Sequence, residues 1–190
     1  MGLYFSGGSL CVCLDILYIY ADKITPSMPK RKQLETDFKL LDSFIGISSH
    51  LRDYRLAYLI NQILGLTLEK TDDLPAFNTK SENPSYFSCY TFDDCDKQLK
   101  YFLLSNTGSE GSLVPSQKEA GYFLLIHGVV TSEMKVAIVG QLKNIPNVLT
   151  VYSIDQYKIP NIELLLSDVE LHEISIKLKI KAKNKGLGSV

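Results

Sequence analysis

The chain has 190 residues, a formal charge of −1, 45% hydrophobic and 22% charged residues. That suffices for one domain with a hydrophobic core, is short for two, and excludes a disordered chain on composition. Net charge near zero gives no general field for nucleic acid or an anionic membrane, so such binding needs a local patch. Charge is nonetheless uneven: acids dominate from Glu69 to Asp96, and Lys177, Lys179, Lys181, Lys183 and Lys185 crowd the end. Both runs read as solvated surface. Cys11, Cys13, Cys89 and Cys95 form no Cys-x-x-Cys pair, so reduced thiols are expected, with no metal and no cofactor.

In chain order, SLCVCLDILYIYA comes first and carries Asp15 near its centre. It is too short and too interrupted to span a bilayer, and it has no basic flank or cleavage site of a signal peptide. Met28 is therefore read as the natural start, with 1–27 a non-native or poorly ordered extension; the alternative is a genuine N-terminal strand. Phe44–Ser48 follows as a strand. Leu56, Leu59, Ile60, Ile63 and Leu64 recur at helical spacing, which predicts a helix with Ser48 or Ser49 as N-cap, Asp53 in its first turn and Gly65 just past its end.

LTLEKTDDL reads as a brief strand entering an acidic loop, and NTKSENPS as a turn. YFSCYTFDD and KQLKYFLLSN read as a hairpin looped over Asp93–Lys97, with Cys89 a buried, inert thiol. Residues 105–112 (SNTGSEGS) read as a flexible loop, and GYFLLIHGVV as an interior strand. Thr131 is expected to cap a second helix with Met134, Ala137, Ile138, Leu142 and Ile145 inward, before the strand NVLTVYSI. The last stretch reads as a short helix, then a strand alternating Ile174, Ile176, Leu178 and Ile180 against lysines, and a frayed NKGLGSV. The fold class expected is α+β: a two-layer sandwich, mostly antiparallel sheet, two main helices on one face, distantly ferredoxin-like.

LVPSQKEAGYFLLI resembles the signature of the IPExxxVDY family of small bacterial proteins. Val114, Pro115 and Ser116 stand at its Ile-Pro-Glu, and Ala120, Gly121 and Tyr122 at its Val-Asp-Tyr. Ser116 and Gly121 replace the carboxylates, so a function resting on that acidic pair is not expected. IGIS, HLRDYRL, LGL and EKTDDL also look like the family's N-terminal half, as do FSCYTFDD and YFLLSN. The resemblance covers 28–166, leaves 167–190 as a basic tail, and implies no assigned activity.

The best polar cluster is Ser49, His50, Arg52 and Arg55 around a helix N-terminus, which would suit a small anion or a partner contact; the bland alternative is a wet helix face. His50 with Asp53 lacks a nucleophile to serve, so no catalytic residue is assigned. His127 reads as a turn residue and His172 as having no helper. Tyr86, Tyr90, Tyr101 and Tyr122 are expected to pack or cover the sheet rather than stack bases, because the hairpin between them is acidic. A cytoplasmic, non-catalytic protein-interaction or adaptor module follows, with an unidentified protein partner and homodimerisation as an option. No membrane is expected and nucleic acid is disfavoured. QLKNIPNVLTVYSI resembles the second half of ACT-like domains, which leaves a small-ligand regulatory domain as the alternative, and an RNA-associated protein with a lysine-rich tail as a third.

Overall fold

The computed structural model describes residues 42–76, 84–109 and 111–186, with side chains to residue 182. The expectations for 1–27 and for Met28 lie outside the described residues, as does most of the 78–85 turn. The elements run β1 (Ser43–Ser49), α1 (Asp53–Leu64), β2 (Glu69–Lys70), β3 (Leu74–Ala76), β4 (Ser85–Phe87), β5 (Cys89–Asp94), β6 (Leu99–Ser105), β7 (Thr107–Gly108) and β8 (Gly111–Ser112). Then come β9 (Tyr122–His127), α2 (Ser132–Lys143), β10 (Val148–Ile154), a 3₁₀ turn (Gln156–Lys158) and α3 (Ile162–Gly186).

Six strands form one sheet in the order β10-β1-β9-β6-β5-β2, and every neighbouring pair is antiparallel. β1 and β6 run parallel with β9 between them, and β9 and β10 run parallel with β1 between them. These are two interlocked split βαβ units, the ferredoxin-like arrangement, with β2 and β5 added beyond β6. The two units step across the sheet in opposite directions from antiparallel first strands. Crossovers of one hand therefore lay α1 and α2 on the same face.

On that face Ile45 and Ile47 of β1, Leu124 and Ile126 of β9, and Tyr101 and Leu103 of β6 bury against Leu56 and Ile60 of α1 and Ile138 and Leu142 of α2. Leu59, Ile63 and Leu64 pack at the margin, while Arg52, Tyr54 and Arg55 stay exposed. The apolar ridge of α1 thus lies on the sheet with its charged neighbours wet. Gly65 ends α1 at φ 66° and its N–H donates to Asn61 O. Thr131 caps α2 by accepting from the Met134 N–H. Ala137 is exposed rather than inward, because Ile138 and Leu142 already fill the contact with the sheet.

The expected layers, sheet and helix pair, are present, and a third is added. Alternation places Phe44, Phe102, Leu104, Phe123 and Leu125 on the opposite face, where Ile162, Leu165, Leu166 and Val169 of α3 cover them together with Leu74 and Phe87 of the β3–β4 hairpin. The register aligns Ile154, Phe44, Leu125 and Phe102 in one cross-strand row beneath this layer. Strands apolar on both faces demand cover on both faces. The predicted strand over Ile174–Ile180 is corrected accordingly: this stretch continues α3. Residue 166 falls inside that helix, which passes from the domain into the basic segment without a break. Polar ties fasten it: His172 Nε2 bonds Asp72 O at 2.9 Å, Lys100 Nζ reaches Glu173 at 2.7 Å and Lys179 Nζ reaches Asp72 at 2.7 Å. His172 therefore does have a neighbour to serve, and it is buried. Two ammonium groups, Lys100 and Lys177, offset the burial of the Glu173 carboxyl and hold it below its ordinary range. No helix among the described residues is long and apolar enough to cross a membrane.

Two local expectations also shift. The β5–β6 turn occupies residues 95–98 rather than Asp93–Lys97, since Asp93 and Asp94 pair with Lys100 and Leu99. Within 105–112, read as a flexible loop, β7 and β8 form a small hairpin.

Candidate functional site

The stretch at the head of α1 does not close as its sequence suggests. Its N-cap is Arg52, and no side chain caps it. Ser49 serves the turn before the helix instead, accepting from the Leu51 N–H at 3.1 Å and donating to Asn147 O at 3.0 Å. That hydroxyl ties the end of β1 to the turn entering β10. His50, Arg52 and Arg55 are exposed, and among the described residues no ion pair joins them to Asp53. Of the proposed anion cluster, Ser49 is therefore bonded to backbone, while His50, Arg52 and Arg55 remain exposed at the head of the helix.

Asp53 gathers partners that are remote in sequence. Ser88 Oγ donates to Asp53 Oδ2 at 2.6 Å, Tyr90 Oη at 3.3 Å, and Lys70 Nζ stands 3.8 Å away. Lys70 Nζ also donates to Ser88 Oγ at 2.6 Å and to Asp73 at 2.8 Å, and lies 5.2 Å above the Tyr90 ring. Burial raises the Asp53 carboxyl, but the Ser88 bond, the Tyr54 amide and the Lys70 charge outweigh it and hold it below its ordinary value. Burial and the facing Asp53 carboxylate push the Tyr90 hydroxyl up to about 12. A serine between a lysine and a carboxylate has the outline of an activated nucleophile. Here its hydroxyl donates to the Asp53 carboxylate and accepts from the Lys70 ammonium, which is itself shared with Asp73. The cluster ties the positive end of α1 to β2 and the β4–β5 junction. Cys89, next along, is buried and its thiol is pushed up to about 11 by that burial, the environment of an unreactive sulfur.

The positions resembling the family signature form a structured turn organised by Asn106, a residue the sequence reading passed over. Asn106 is 3% exposed. Its Nδ2 donates to Gln117 O at 3.0 Å and Ala120 O at 2.7 Å, and its Oδ1 accepts from the Val114 N–H at 2.9 Å. Its own amide donates to Gly121 O, and its carbonyl accepts from the Leu113 N–H. Val114 and Ala120 are buried, while Pro115 and Ser116 are exposed. Gly121 N–H donates to Ile47 O at 3.0 Å, and Tyr122 Oη to Leu51 O at 2.7 Å. Thus Asn106 holds Val114 and Ala120 within the loop, and Gly121 and Tyr122 fasten it to β1 and to the approach of α1.

Behind this turn a cavity of about 220 Å³ opens between the β3–β4 hairpin, residues 112–116 and the head of α3. Its walls are mainly apolar, with Phe87, Val114, Ile159 and Leu165 among them. Ser85 lines it at 2% exposure, and its hydroxyl has no hydrogen-bond partner among the described residues. Asp168 stands at its rim, its carboxyl raised by burial. Among the described residues no cluster of three or more His, Cys, Asp or Glu is placed to hold a metal ion.

Among the described residues the sheet's outer edge carries no further strand. β10 is seven residues long and, among the described residues, pairs on one side only, with β1. Its sequence, VLTVYSI, carries no charge and no proline, and Leu149, Thr150 and Ser153 are exposed. The opposite edge, β2, is two residues long and both are charged. Short, charged edges are protected against pairing; long, uncharged ones invite it. Comparison of the chain with protein-family models and with curated proteins gave no match.

Proposed function

We propose that the protein is a cytoplasmic, non-catalytic interaction module that takes an extended segment of a partner protein onto the free edge of β10. The open, charge-free edge carries this reading. Main-chain hydrogen bonds to a seventh strand would supply affinity, and the exposed Leu149 side chain a specificity contact. The IPExxxVDY resemblance over 28–166 is in keeping with it, since that family has no assigned activity. The test is affinity capture with the native chain and with a Leu149→Lys, Thr150→Lys double variant. Both positions are exposed, so folding stability should move by less than about 0.5 kcal/mol each. A partner retained near equimolar amounts by the native chain should fall at least tenfold with the variant. Equal capture by both would refute edge docking.

A small-ligand regulatory module is the second reading. It draws on the ferredoxin-like strand order, the ACT-like look of QLKNIPNVLTVYSI and the cavity beside Ser85. It predicts that some amino acid or nucleotide raises the melting temperature by several degrees, where the interaction reading predicts none. An RNA-associated role has less support, because Lys177 and Lys179 are engaged by Glu173 and Asp72.

A further inference from the structure

α3 is apolar on two opposite sides. One side, through Ile162, Leu165, Leu166, Val169 and His172, is buried against the sheet. Stepping by 3.6 residues per turn, Leu164, Leu171 and Leu178 fall on the far side, seven residues apart, with Ile174 beside them. Their exposures are 51%, 64%, 61% and 54% respectively. Ser167, Ser175 and Ala182 fill the intervening turns of this face, so a second helix could approach closely. A stripe of this kind on a helix already anchored elsewhere is costly to leave in water and marks a docking face.

Charge along the helix identifies what fits there. Every acid of α3 (Glu163, Asp168, Glu170 and Glu173) precedes Lys177, and every lysine follows Glu173. Such a helix is complementary to itself when reversed. We propose that α3 pairs antiparallel with α3 of a second copy, giving a twofold-symmetric homodimer with Leu171 on the axis. Leu171 then meets its own counterpart, and Leu164 meets Leu178 of the second copy. Glu163 comes within two residues, about 3 Å along the axis, of level with Lys181 of the second copy on the same flank of the stripe, and symmetry doubles the pair. The parallel alternative sets Glu163 against Asp168 of the second copy, like charge on like, whereas the reversed orientation brings the acidic start of one helix to the lysines near the end of the other. Because the stripe faces away from the sheet, both β10 edges stay free, and dimerisation is independent of the edge-docking reading.

The test combines sedimentation with site-directed cross-linking. The native chain should sediment as a dimer that dissociates on dilution, and Leu171→Asp should sediment as a monomer. Its melting temperature should stay within a few degrees of the native monomer's, because Leu171 contributes nothing to the core. With Cys11, Cys13 and Cys95 replaced by Ser, Leu171→Cys should form a 171–171 disulfide under mild oxidation. A Leu164→Cys, Leu178→Cys chain should form 164–178 links and no 164–164 links. A chain that is monomeric at all concentrations, a dimer that survives Leu171→Asp, or 164–164 links would each overturn the proposal. The Leu149→Lys, Thr150→Lys variant should dimerise normally, which separates failure here from failure of edge docking.

Discussion

Replacing Asn106 by alanine should lower the stability of the domain by about 3 kcal/mol, reducing the melting temperature by roughly 10 °C for a domain of this size. Among the described residues the side chain bridges the Val114 N–H, the Gln117 carbonyl and the Ala120 carbonyl within the turn it organises. Asn106 is also too buried for water to replace it freely. Each abandoned buried group costs about 1–3 kcal/mol, reduced where the turn relaxes. The loss spreads beyond the loop, because the same turn positions the Gly121 amide on Ile47 and Tyr122 on Leu51. Ser105→Ala is the natural control. Its hydroxyl serves only the exposed Thr107 backbone, and its removal should cost less than about 0.5 kcal/mol. Calorimetric melting of both variants checks the contrast.

Ending the chain at Leu166 should do more damage still. The truncation removes Val169 and His172 from the core and the Lys100–Glu173 and Lys179–Asp72 ties from the surface. It leaves Phe102, Phe123 and Leu125 under half a cover. Exposure of that apolar floor at about 25 cal/mol per Å², with no smaller chain able to close over it, implies a loss of about 4 kcal/mol or more, a large part of the 5–15 kcal/mol that holds a typical domain folded. The truncated chain should bind a hydrophobic dye and melt without a cooperative step. A sharp native-like melt would mean that 167–186 is an appendage.

That second prediction bears on what the sequence disclosed. α1, α2 and β9 were legible because each states one period clearly: Leu56 with Ile60, Ile138 with Leu142, and the unbroken YFLLIH. The end of α3 states two periods at once. Ile174, Ile176, Leu178 and Ile180 alternate like a strand, yet Leu165, Val169, His172 and Ile176 repeat at helical spacing. Packing on the sheet and the His172–Asp72 bond settle the contest in favour of the helix. The site was less legible still. Asp53 was rightly placed in the first turn of α1, but its partners Lys70, Ser88 and Tyr90 come from strands brought together only by folding. The cap at Ser48 or Ser49 failed because Ser49 accepts instead from the amide of Leu51, two residues on, and so serves the turn before the helix. Asn106 sits among glycine and serine, the composition of a loose loop, and its long-range carbonyl partners leave no trace in spacing.

Residue-resolved hydrogen exchange tests the whole arrangement, in which both sheet faces are sealed and one edge is open. Amides of β1, β6 and β9 should exchange only on global unfolding, and those of α3 from Leu166 to Ile174 should be protected to a comparable degree. The β10 amides directed away from β1 should exchange orders of magnitude faster than those bonded to it. Protection of all β10 amides in the isolated chain, or unprotected amides through α3, would contradict it.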